Sequence, residues 1–107
     1  AESIACAYLE SCGYKVLLRN FHARYGEIDI IARHEEYLVF IEVKQRTTNR
    51  FASGREAVTA KKQQALRMAA QLYLAENNIN DSPVRFDVVE ITGPIANPAI
   101  EIIKNAF

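Results

Sequence analysis

The sequence is poor in the side chains that bind soft metals or form covalent staples. It has two cysteines and two histidines in 107 residues. Cys6 and Cys12 fall on one expected helix at a spacing that turns their side chains away from each other, so no mutual disulfide is expected. They read as small buried apolar residues of a reducing compartment, which points to the cytoplasm. His22 and His34 have no metal-type spacing to one another or to the cysteines, and no role is assigned to them. Long apolar runs are missing too. None could span a bilayer, although hydrophobic residues make up 50% of the chain. No low-complexity tract or signal peptide is visible; the chain opens on Ala1 rather than Met, and a few N-terminal residues are expected to precede it. A single globular domain, residues 1–107, follows, large enough for a real core.

An excess of charge of either sign is also lacking, since 13 Lys and Arg balance 13 Asp and Glu. At first sight this argues against a nucleic-acid partner. The distribution says more. Residues 44–67 carry Lys44, Arg46, Arg50, Arg55, Lys61, Lys62 and Arg67 against the single acid Glu56, while the flanking parts are correspondingly acidic. Such a stripe is either a solvated helix face or a surface that holds a phosphate backbone.

What the chain does have is a stretch rich in Ile, Val and Phe, from Gly26 to Lys44, that reads as a β-hairpin. Its arms, residues 28–33 and 37–45, flank the polar segment His34-Glu35-Glu36. Alternation puts Glu42 and Lys44 on one face of the second arm and Val39, Ile41 and Val43 on the other. A loop of two residues (Glu35-Glu36) or four (residues 34–37) sets Asp29 opposite Glu42 and Glu27 opposite Lys44. A loop of three would instead put Ile41 opposite Asp29, so register decides the chemistry. The even loop is the expectation, because it gives Ile28, Ile30, Val39, Ile41 and Val43 a common apolar face. Glu-Glu is nonetheless not a favoured tight turn.

Two carboxylates facing each other destabilise a sheet unless something lies between them. Hard oxygen donors without Cys or His nearby favour Mg2+ or Mn2+ over zinc. The plainer alternative is a solvated strand face on which Glu27 and Lys44 pair.

Elsewhere the chain divides cleanly. Residues 2–11 are expected to be helical, with Ile4, Ala5, Tyr8, Leu9 and Cys12 as the buried stripe and Gly13 as the stop. Glu2 in the first turn either suits the helix dipole or serves as a third metal-site carboxylate. Residues 14–19 read as a strand and 20–25 as a connection, in which Arg19, Asn20 and Arg24 face water or phosphate. Residues 45–56 form a polar loop, long for a compact domain and expected to close over substrate. Thr59 caps a second helix reaching about Glu76, buried through Leu66, Ala69, Ala70, Tyr73 and Leu74. Strands over 85–91 and 100–103 complete the order α-β-β-β-α-β-β, an α/β fold with a mixed central sheet flanked by helices.

Several stretches together resemble the YraN-like family of bacterial endonuclease-like proteins. They are Ala1-Glu2-x-x-Ala5, Tyr8-Leu9, Gly13-Tyr14, Arg19-Asn20, Gly26-Glu27-Ile28-Asp29-Ile30-Ile31-Ala32, Leu38-Val39-Phe40-Ile41-Glu42-Val43-Lys44, Ala57-Val58, Lys61 and Arg85-Phe86-Asp87-Val88-Val89. That family is similar in turn to the restriction-endonuclease-like PD-(D/E)xK superfamily and to archaeal Holliday junction resolvases. The resemblance implies that Asp29 and Glu42 bind metal, that Lys44 is the motif lysine, and that Glu2 is the helix glutamate completing the site. Ile28 stands where the superfamily name has proline, which is not a ligand.

The implied activity is Mg2+- or Mn2+-dependent hydrolysis of DNA phosphodiesters, with branched, Holliday-junction-like DNA as a candidate substrate. Asp29, Glu42, Glu2 and the Val43 carbonyl would hold the ion, and Lys44 would position or help deprotonate the attacking water. Arg46 returns to the site face, and with Arg50, Arg55, Lys61 and Lys62 is expected to contact phosphate. Cutting two strands symmetrically would require a homodimer. Two other readings stand beside this one. The chain could be a nucleic-acid-binding module with the nuclease fold and no turnover, or a protein-interaction domain whose hairpin charges only keep the sheet soluble.

Overall fold

The computed structural model describes residues 2–46, 58–94 and 96–107. Its elements are α1 (Glu2–Ser11), β1 (Lys15–Ala23), β2 (Gly26–His34), β3 (Tyr37–Arg46), α2 (Ala60–Glu76), β4 (Val84–Thr92) and β5 (Ala99–Ile103). The order is the one the hydrophobic pattern predicts. The strands form one five-stranded sheet in sequence order β1-β2-β3-β4-β5. All neighbours are antiparallel except β3 and β4. A parallel pair needs a crossover, and α2 lies within the one that joins them.

Alternation along the central strands builds two cores. Leu38, Phe40, Phe86 and Val88 pack with Leu66, Ala69 and Ala70 of α2. Val39, Ile41, Val89 and Ile91 pack with Ala5 and Leu9 of α1. The helices therefore cover opposite faces, and the hairpin is buried on both sides, with Ile30, Ile31, Val39 and Ile41 all at 0% exposure. This is why Ile31, Leu38 and Phe40 can share a face with acids. Among the described residues no helix is long and apolar enough to cross a membrane.

The hairpin uses the two-residue loop. His34 pairs with Tyr37, Ile31 with Phe40 and Ile30 with Ile41, the even register expected from the apolar pattern. The unfavourable Glu-Glu turn is accommodated by Glu35 taking a left-handed backbone, φ 56°. At the start of α2, Thr59 accepts a hydrogen bond from the Lys62 amide at 3.1 Å, the expected N-cap.

Four local expectations are corrected. β1 runs on to Ala23 rather than stopping at Arg19, because Asn20 absorbs the bend at φ 56° and pairing resumes at Phe21↔Ile28. Ile28 does not join Ile30, Val39, Ile41 and Val43 on one face. It belongs with Ile31 to the α2 side, so alternation breaks at Asp29, at the level where Asn20 bends β1. On α1 the buried stripe is narrower than the spacing suggests: Ala5 and Leu9 are buried, whereas Tyr8 and Cys12 are exposed. Cys6 is partly buried, and burial pushes its thiol pKa up; both cysteines are free.

Candidate functional site

The acid pair forms where the β2–β3 ladder ends. Backbone pairing runs from the turn to Ile30↔Ile41 and goes no further, although both strands continue. Continuing the register by one residue places Asp29 beside Glu42. There the Asp29 Oδ2 accepts from the Val43 N–H at 2.9 Å, so the side chain replaces the missing strand partner. Both acids lie on the α2 face. Glu42 is buried, with 6% of its side chain exposed, and meets Lys44 Nζ at 3.6 Å and Lys62 Nζ at 3.3 Å.

Asp29 carries the electrostatic signature of this geometry. Burial pushes its carboxyl pKa up, and the charge and hydrogen bond of Glu42 push it further, to about 6. The Val43 N–H and Lys62 act in the opposite direction without overcoming the burial. Two carboxyls held at hydrogen-bonding distance in a half-buried site cannot both ionise freely.

The donor set suits a hard divalent cation, which commonly takes one or two carboxylates and completes its shell with water and phosphate oxygens. The N–H and C=O of a strand residue face the same neighbour, so the Val43 carbonyl is directed toward β2 as its N–H is. Among the described residues, however, no group of three or more His, Cys, Asp or Glu side chains converges. Glu2 is instead 3.9 Å from Arg19 Nη2, which also donates to Ser3 Oγ at 3.3 Å. The structure thus brings Asp29, Glu42 and Lys44 together and does not bring Glu2 to them.

The expected pairing of Glu27 with Lys44 does not form. With the β2–β3 ladder already ended, Glu27 faces β1 and meets His22 Nδ1 at 2.9 Å, while Lys44 turns to Glu42. Arg46 lies on the site face as expected, and its Nε is 2.8 Å from Glu90 Oε2 of the parallel neighbour β4. Lys61 is exposed at the start of α2. Arg50, Arg55 and the loop expected to close over substrate lie outside the described residues. Arg67 is exposed and stands over the rings of Phe86 and Phe107, 5.1 and 5.5 Å from their centroids.

A second polar cluster escapes sequence reasoning altogether. Fully buried Asp87 accepts from Tyr14 Oη at 2.7 Å, from Arg85 Nε and Nη2 at 2.9 Å each, and from the Asn105 N–H at 3.0 Å. Arg85 also reaches His34 Nδ1 at 2.9 Å, and the His34 ring stacks on Tyr14 with centroids 4.0 Å apart. Burial and Asp87 push the Tyr14 pKa far up; for Arg85, burial pulls the pKa down but Asp87 and Tyr14 together push it up and keep the guanidinium charged. The residues come from four places in the chain. The alternation of Arg85 and Asp87 around Phe86 was a signal that both acid and base enter the core beneath α1.

Comparison with known proteins places the chain among relatives of the same length class. The model of the uncharacterised protein family UPF0102 matches residues 1–91. The chain belongs to this family. Similar relatives, each named a UPF0102 protein, occur in Hahella chejuensis, 42% identical over 107 residues that make up 100% of this chain and 86% of the relative. A Sulfurihydrogenibium relative is 48% identical, covering 99% of this chain and 89% of its own. One from Geobacter metallireducens is 47% identical, covering 99% and 87%. The family resemblance drawn from the hairpin motifs agrees with this membership, and the UPF0102 names carry no activity.

Proposed function

We propose that this UPF0102 protein is a metal-dependent endonuclease that hydrolyses DNA phosphodiester bonds, with branched, Holliday-junction-like DNA as the candidate substrate. The observation that carries the reading is the Asp29–Glu42 carboxyl pair at the end of the hairpin ladder, with two lysine ammonium groups on Glu42. When both are ionised, the two carboxylates oppose each other as like charges, which a strand pair alone does not favour.

Asp29, Glu42 and the Val43 carbonyl would hold Mg2+ or Mn2+. When bound, the ion supplies charge stabilisation at the phosphate and activation of water. The chain's own residues do the rest. Asp29 and Glu42 would serve as ligands in their ionised forms, and Lys44, 3.6 Å from Glu42, would orient the attacking water and offset charge on the phosphate. Lys62, at the start of α2 and 3.3 Å from Glu42, would offer its ammonium group to a phosphate oxygen. A dimer of this single domain would present two such sites to two strands.

The test is incubation of purified protein with linear, forked and four-way-junction DNA in Mg2+, Mn2+ or EDTA, alongside Glu42→Ala. Metal-dependent products that vanish in the folded variant are expected. A second reading, DNA binding without turnover, is favoured by the two lysines seated on Glu42 and by Glu2 standing with Arg19. Salt-dependent binding that EDTA leaves unchanged, with no products, would select it.

A further inference from the structure

Helix α2 has a second stripe that the core does not use. Lys61, Gln64, Met68 and Leu72 recur at spacings of three and four, beside the buried stripe of Leu66, Ala69 and Ala70. Met68 is 41% and Leu72 39% exposed. Against this stripe stands the β1–β2 turn, whose Tyr25 is 62% exposed, the most open of the large apolar side chains among the described residues. Between them run two shallow grooves of about 200 and about 290 Å3 that share Tyr25 and Met68.

The rim of these grooves is cationic. The Arg24 guanidinium lies 5.2 Å from the Tyr25 ring centroid, and Lys61 closes the other end. No acid lines either groove among the described residues. An aromatic ring left open to solvent, with a guanidinium over it and apolar side chains beside it, suits the flat face of a nucleobase carried on an anionic backbone. Paired bases in a duplex keep their faces covered by stacking, so the platform takes a base that is already unpaired.

Its position ties it to the acid pair. Gly26, which follows Tyr25, packs so tightly on α2 that a Cβ there would lie 3.1 Å from the Ala65 Cβ. Lys62, three residues before Ala65, contacts Glu42 at 3.3 Å. The platform and the carboxyls thus flank the same turn of one helix, which rises only about 5 Å per turn.

We propose that Tyr25, with Arg24 and Lys61, forms a stacking platform for an unpaired nucleotide next to the Asp29–Glu42 site, so that this surface selects DNA with single-stranded character. The proposal rests on the nuclease reading for its neighbour, and its test is independent of turnover. Binding of fluorescein-labelled single-stranded DNA and of a fully paired duplex is measured by anisotropy in EDTA, for wild type, Tyr25→Ala and Tyr25→Phe.

Loss of one base–aromatic stack weakens single-strand binding by about tenfold or more in Tyr25→Ala. Tyr25→Phe stays near wild type, and duplex binding changes little in either. Equal loss on both DNAs, no loss on either, or no binding of any DNA overturns the platform. So does a wild-type dimer in sedimentation that Tyr25→Ala dissociates while DNA binding is unchanged, which assigns the grooves to a second copy. DNA products formed by a protein whose single-strand affinity ignores Tyr25 sink the platform alone. Tyr25-dependent binding without metal-dependent products sinks the nuclease reading alone.

Discussion

Replacing Asp29 with asparagine should remove a pH dependence of folding that runs opposite to the usual one for an acid. An aspartate gaining a cationic partner has a lowered pKa and loses stability as pH falls. Here burial and Glu42 raise Asp29 from 3.8 to about 6, so between these values the folded chain binds more protons than the unfolded one. Stability is then fully present below about pH 4 and is lost as pH rises through about 6. The displacement corresponds to about 3 kcal/mol for a fully buried group, which solvent screening of a half-buried carboxyl reduces to about 1 to 2 kcal/mol. In Asp29→Asn the amide oxygen still accepts from the Val43 N–H, its NH2 can donate to Glu42, and nothing titrates.

Urea unfolding of both proteins from pH 4 to 8 isolates the effect, because the other groups cancel in the difference. The variant should match wild type at the acid end and exceed it by about 1 to 2 kcal/mol at pH 8, roughly 4 to 16 °C in Tm for a domain of this size. Parallel curves, or a wild type that gains on the variant as pH rises, would refute the account of the acid pair. On the proposed metal site, adding Mg2+ should narrow the gap above pH 6 by stabilising wild type more than the variant, which has lost one carboxylate.

Two further outcomes test the packing around the site. Asp87→Ala leaves the Arg85 guanidinium buried without its carboxylate and should cost about 3 to 5 kcal/mol, read from the urea midpoint; a loss below about 1 kcal/mol would show that water replaces the carboxylate. Gly26→Ala adds a Cβ 3.1 Å from both the Cβ and the backbone oxygen of Ala65 and should cost about 1 to 3 kcal/mol. Ala65→Gly in the same chain should restore only part of this, because the backbone oxygen remains; complete restoration would place the clash at the Ala65 methyl alone.

The acid pair was legible in the sequence because strand periodicity is local and unforgiving. A slip of one residue would have turned Ile30 to the face opposite Val39 and Ile41 and split their shared core, so the even loop was favoured, and that loop sets Asp29 beside Glu42. Thr59 and Gly13 marked helix ends for equally local reasons, since a cap or a left-handed stop acts on its own neighbours. Tertiary packing decided the charge partners. Lys62 reaches Glu42 only because α2 lies across the hairpin, and Glu27 takes His22 because the β2–β3 ladder has already ended. Tyr14, His34, Arg85 and Asp87 are scattered along the chain and meet only when β4 inserts beside β3 beneath α1. Ion pairs and hydrogen bonds act over a few ångströms in space, whereas periodicity reports only which face a residue occupies, so the sequence determined the faces and the folded packing chose who meets on them.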